Sequence, residues 1–83
     1  MENENILVIM EELTEIECDD SVPKNVRARV RNAIIALEEN GKAVEVKIDR
    51  ALEELGDVDN DPNLSSYTRT KIWNVVSVLE GNL

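Results

Sequence analysis

Three aspartates alternate in Asp57–Val58–Asp59–Asn60–Asp61. That is the spacing of the first calcium ligands in an EF-hand loop. The match then stops, because Pro62 stands where the loop needs glycine and Thr68 where it needs a bidentate glutamate. The spacing offers weak divalent-ion binding at most, and a solvated loop flanking a helix is the favoured reading of the Asp57–Asp61 turn. Glu11, Glu12 and Glu15, with Glu53, Glu54 and Asp57, form two further carboxylate groups. General acid–base work needs a carboxyl in a pocket with a raised pKa. Helical spacing places these six on wet faces instead.

The sequence contains no histidine and one cysteine. A histidine-centred triad, a Cys/His zinc site and a Glu-x-x-His di-iron site are therefore excluded. Disulfide pairing within the chain is excluded as well. Cys18 lies beside Asp19 and Asp20, whose charge disfavours a thiolate and argues against a nucleophile. The sequence thus assigns no catalytic, cofactor-binding or metal-ligating residue, and no cofactor is expected.

Basic residues gather in one place, with Lys24, Arg27, Arg29 and Arg31 within eight residues, whereas residues 1–20 hold eight acids and no base. Such separation suggests electrostatic docking, within the fold or between chains. Arg27 and Arg69 are expected to tie down turn carboxylates or carbonyls. Arg29 and Arg31 are left freer, to meet RNA, a phosphate or an acidic partner. Against nucleic acid stand the net charge of −9 and the presence of only two aromatic residues, Tyr67 and Trp73. Trp73 follows Arg69 by one turn, so a cation–π contact is available to it. A core role, sealing the space between helices, is favoured for it over an interface anchor.

Four helices are needed to position these residues. The first spans about Glu2–Glu17, with Ile6, Ile9, Met10, Leu13 and Ile16 at spacings of three and four. The second spans about Pro23–Glu39, with proline in its first turn, and ends at Asn40–Gly41, residues that tolerate the left-handed conformation. The third spans roughly Lys42–Leu55, with Val44, Ile48, Ala51, Leu52 and Leu55 inward and Gly56 as its stop. A short exposed strand through Val44, Val46 and Ile48 is the weaker alternative. After a polar connection from Asp57 to Leu64, Ser65 or Ser66 caps a fourth helix with Ile72, Val75, Val76 and Leu79 inward. Gly81 and the last two residues are expected to fray.

The chain also matches itself at a shift of 42 residues. Residues 6–41 lie over 48–83 without a gap, and ten of the 36 pairs are identical. Among them are Leu13/Leu55, Asp19/Asp61, Arg27/Arg69, Asn32/Asn74 and Leu37/Leu79. Periodicity alone would not match the turn residues. The reading is one helical domain over 1–83, built as two hairpins, about 6–41 and 48–83. The hairpins face each other because neither can cover its own apolar stripes. The unit length is similar to that of HEAT-type repeats, but two units fit a closed four-helix bundle equally well.

Val, Ile and Leu make up 25 of 83 residues, enough for an aliphatic core despite the charge. A chain this short is marginal on its own. Val8, Ile35 and Val46 lie opposite the main stripes and Val78 off-stripe, so a homodimer is considered as their cover. No apolar run is long enough to span a membrane and no secretion signal is visible. With a single free cysteine, the expected location is cytoplasmic.

Several segments carry a family likeness: Val22–Pro23–Lys24–Asn25–Val26–Arg27, Asn60–Asp61–Pro62–Asn63, Thr68–Arg69, Ile72–Trp73–Asn74–Val75–Val76–Ser77 and Leu79–Glu80. Over nearly the whole chain they resemble uncharacterised protein family 0147 (UPF0147), small archaeal helical proteins. Asp20–Ser21 stands where that family usually has Asp-Pro, and Ser65 where a proline is common before the last helix. These departures alter caps, not chemistry. The resemblance implies an all-α four-helix bundle of bromodomain-like up-and-down topology. It implies no activity, substrate or cofactor, and such a fold does not imply acetyl-lysine reading.

The function favoured by the sequence is a small acidic, non-enzymatic protein-interaction or scaffolding domain, with a protein partner or a second copy. An RNA-associated module using the basic second helix comes next, and a metal-binding or enzymatic protein last.

Overall fold

The computed structural model describes residues 2–81, with side chains from Ile6 onward. Four helices follow in order: α1 (Glu2–Glu17), α2 (Lys24–Glu38), α3 (Val44–Leu55) and α4 (Ser66–Gly81). A single 3-10 turn, Val58–Asn60, lies between α3 and α4. Short connections make successive helices antiparallel neighbours. α1 packs on α2 and α4, and α3 packs on α2 and α4, so the four close into a ring. The bundle is elongated, 34 × 19 × 19 Å. Residues 44–48 are helical, so the strand alternative falls.

The core is one aliphatic cluster, and it obeys the 42-residue shift. Ile9/Ala51, Leu13/Leu55, Ile16/Val58, Val22/Leu64, Val30/Ile72, Ala33/Val75 and Leu37/Leu79 are buried in both members. The turns repeat in their backbone bonds as well. Val22 N–H donates to Asp19 O at 3.0 Å, and Leu64 N–H to Asp61 O at 3.1 Å. Asp19 Oδ1 accepts from Ser21 N–H and Asp61 Oδ1 from Asn63 N–H, both at 2.9 Å. One short-range pattern thus reverses the chain twice, bringing α2 back on α1 and α4 back on α3.

Local chemistry moves several boundaries. Pro23 is not in the first turn of α2 but precedes it, extended at ψ 146°. Helix α3 begins at Val44, two residues later than the apolar spacing suggests, and Val44 is 43% exposed rather than inward. A first-turn residue has no preceding helical turn to set its direction. Between α2 and α3 only Gly41 takes the left-handed conformation, at φ +83°, and Asn40 does not. Gly56 ends α3 in an ordinary right-handed conformation, φ −60°. Gly81 remains helical, while Asn82 and Leu83 lie outside the described residues.

Ser65 rather than Ser66 caps α4, its Oγ accepting from Thr68 N–H at 3.1 Å and donating to Thr68 Oγ1. This pairs the cap with Thr68, the one buried polar residue among those described. Ser65→Ala is expected to cost about 1 kcal/mol, read from urea unfolding followed by circular dichroism.

Candidate functional site

The end of the bundle bearing the α1–α2 and α3–α4 turns holds the acidic segments. The structure does not gather Asp57, Asp59 and Asp61 around a common point. Asp59 Oδ2 accepts from Trp73 Nε1 at 2.9 Å. Asp61 Oδ2 accepts from Asn25 Nδ2 at 2.8 Å. Among the described residues no group of three or more His, Cys, Asp or Glu side chains is placed to hold a metal ion.

The hydrogen bonds of the two turn aspartates have an electrostatic consequence. The Asn25 side-chain amide and then Asn63 N–H hold the Asp61 carboxyl below its ordinary value of 3.8. The Ser21 hydroxyl and then Ser21 N–H do the same for Asp19. A carboxyl whose pKa is lowered on folding stabilises the fold above its unfolded pKa. That stability is lost as pH falls through the folded value. The melting temperature is therefore expected to drop as pH falls below about 4. Asp19→Asn combined with Asp61→Asn should flatten that dependence, checked by thermal melts at about pH 6 and about pH 3.

Both turn arginines reach backbone carbonyls. Arg27 Nε donates to Val22 O at 3.0 Å, and Arg69 donates to Asp59 O at 3.0 Å and Asp61 O at 3.2 Å. Arg29 and Arg31 are not free, contrary to the sequence expectation. Arg29 Nε pairs with Glu54 at 3.2 Å and Arg31 Nε with Glu17 at 2.8 Å. Antiparallel neighbours bring the acidic ends of α1 and α3 beside the basic helix, so the charge separation along the chain is largely resolved inside the fold.

Trp73 does not seal the core. It is 53% exposed, and only its indole N–H is engaged, by Asp59. The cation–π contact belongs to Lys71 and Tyr67, 5.3 Å from nitrogen to ring centre. Lys71 also pairs with Glu15, and that hydrogen bond is the main cause of its raised pKa.

One set of contacts escaped the residue-by-residue reading, although the repeat marked it. Asn32 Nδ2 donates to Glu54 Oε1 at 3.3 Å, and Asn74 Nδ2 to Glu12 Oε1 at 3.5 Å. These are the identical pairs Asn32/Asn74 and Glu12/Glu54, exchanged between hairpins.

Val8, Ile35 and Val46 are open to solvent, at 55, 57 and 43%, and Leu7 and Val44 join them as exposed residues. Val78 is partly buried against the core. Ile35 lines a hollow of about 200 Å³ with Ala36, Arg50 and Glu53, on the α2–α3 side. Val46 lies one turn before Arg50 on the same helix. Val8 is on the α4 side of α1, one turn before Glu12, the acceptor for Asn74. A wider, open hollow of about 750 Å³ is lined by Ile6, Leu7, Met10 and Leu37 together with Glu11 and Glu38.

Two helical hairpins closed around an aliphatic seam, with pairs of polar contacts crossing between them, define an all-α four-helix bundle. Residues 1–81 match the model of the Uncharacterised protein family (UPF0147), and the chain belongs to that family. Its relatives include UPF0147 protein LS215_1454 of Saccharolobus islandicus, 41% identical over 82% of this chain and 76% of that protein. UPF0147 protein MJ1419 of Methanocaldococcus jannaschii is also 41% identical, over 82% of this chain and 73% of its own length. The crystal structure of MMP1188, a protein of unknown function, superposes with a TM-score of 0.88 at 38% identity. That match covers 94% of this chain and 89% of the other.

Proposed function

We propose that this chain is a small acidic, non-catalytic protein-interaction domain. It docks through the aliphatic end of its bundle. The observation that carries this is the placement of Leu7, Val8, Ile35, Val44 and Val46, all between 43 and 64% exposed. Leu7 and Val8 lie in the N-terminal half of α1, Ile35 in the last turn of α2, and Val44 and Val46 in the first turn of α3. Antiparallel packing puts those segments at one end. Five large aliphatic side chains on 83 residues leave apolar surface in water that a partner would cover.

Two further observations support a binding role over chemistry. Asp59 and Asp61 are committed to protein donors, and Arg29 and Arg31 are committed to Glu54 and Glu17. Cys18 is exposed and unpaired, which suits the reducing interior of the cell. Among the described residues no helix is long and apolar enough to cross a membrane.

Affinity capture from cell extract tests this reading. The wild-type chain is compared with the triple variant Leu7→Glu, Ile35→Glu, Val46→Glu. All three side chains are exposed, so helicity should be unchanged. Proteins held by the wild type and lost from the variant support the proposal. Equal recovery by both, or recovery of RNA in place of protein, overturns it.

A further inference from the structure

Helix α2 carries its end charges against its own dipole. Its first turn has Lys24 and no acid, and its last turn has Glu38 and no base. A helix N-terminus favours negative charge and a C-terminus positive charge. Neighbouring elements offset part of this. Arg31 pairs with Glu17, Arg27 lies 3.8 Å from Asp20, and Glu39 just past the helix lies 3.9 Å from Lys42. The side chains of Lys24 and Glu38 have no ion-pair or hydrogen-bond partner among the described residues.

Those two residues end an outward stripe: Lys24, Ala28, Arg31, Ile35 and Glu38, at spacings of four, three, four and three, all exposed. Ala28 leaves a low point on this surface, and Ile35, 57% exposed, a high one. Read in reverse, the stripe complements itself. About one midpoint, between Arg31 and Asn32, Ala28 falls opposite Ile35, and Lys24 falls opposite the acidic end formed by Glu38, the last residue of the stripe, and Glu39 just past the helix.

We propose that the outer face of α2 is a homodimer interface, in which two copies pair α2 antiparallel about a two-fold axis between Arg31 and Asn32. This rests on the protein-interaction reading above and makes a second copy the partner. Each Lys24 meets Glu38 and Glu39 of the second copy, and each Ile35 seats on Ala28 of the second copy. Two-fold symmetry makes every such contact twice. A parallel pairing would set lysine on lysine and isoleucine on isoleucine. The antiparallel one also opposes the two helix dipoles and brings acid to each N-terminus, where the first turn of α2 itself carries none. Arg31 stays with Glu17 beside the axis. A contact centred on one 15-residue helix is small, so dissociation in the micromolar range is expected.

Sedimentation equilibrium of the purified full chain, at about 0.15 M salt to screen the net charge, tests the interface. Over about a hundredfold range of concentration the mass should move from one copy to two. Lys24→Glu and Glu38→Lys should each weaken the dimer by about tenfold. The charge-swapped double variant should recover most of that loss. Ile35→Ala should abolish the dimer over the same range. The side chains changed are exposed, so circular dichroism should stay that of the wild type. A monomer at every concentration overturns the proposal, as does a dimer that the swap fails to rescue. Either result leaves the capture experiment to decide on other proteins. Conversely, an intact dimer whose triple variant captures the same proteins as the wild type overturns the aliphatic-end reading alone.

Discussion

Leu55→Ala is expected to lower the unfolding free energy by about 3 kcal/mol. In a domain of this size that corresponds to a melting temperature lower by about 15 °C. Leu55 is 1% exposed and its counterpart Leu13 is 0%. Each ends or centres a helix that packs on two others, so neither site can collapse around a missing isobutyl group without moving a helix. The loss combines the lost burial with the cavity left behind. Leu13→Ala should cost a similar amount. The double variant should lose about 6 kcal/mol, a large part of the stability a small domain possesses. Urea unfolding followed by far-ultraviolet circular dichroism measures all three. A loss below about 1 kcal/mol for either single variant would mean the hairpins do not close on these side chains.

Arg69→Ala should cost about 2 kcal/mol. Its guanidinium spans Asp59 O and Asp61 O, tying the loop after α3 to the first turns of α4. Both acceptors are partly buried residues, and their carbonyls would need water in its place. Arg69→Lys should recover less than half of the loss, because one ammonium cannot reproduce a planar fork aimed at two carbonyls. Arg27→Ala, losing a single carbonyl bond and a long ion pair to Asp20, should cost about 1 kcal/mol. Full recovery with lysine would sink the bidentate account.

Much of the bundle is legible in the residues because its determinants are local. Ile9, Leu13 and Ile16 recur with the helical period, and all are buried. The 42-residue shift is legible for a different reason. Asp19 and Asp61 make the same turn with their own neighbours, so identical residues give identical backbone bonds at both sites. That periodicity misplaced Val44, since the first residue of a helix has no preceding turn to set its direction. It also misplaced Trp73. A tryptophan at the edge of a stripe turns inward or outward by a small rotation of its helix, and the carboxylate of Asp59 draws its indole outward.

The candidate site was less legible than the fold. Arg29 and Arg31 read as free because their partners, Glu54 and Glu17, are 25 and 14 residues distant. Ile35, Val46 and Val8 were visible as off-stripe aliphatics, but nothing local separates them from Val78, which packs partly buried against the core.

By itself the sequence determined where the four helices fall, though not each boundary, where the chain reverses and that its two halves are alike. Those properties follow from backbone conformation and from the spacing of side chains within a few turns. The tertiary structure alone decided which charges neutralise one another and which aliphatic residues stay in water. Both depend on how each helix is rotated about its axis against its neighbours, and that rotation is set by packing across the whole core at once.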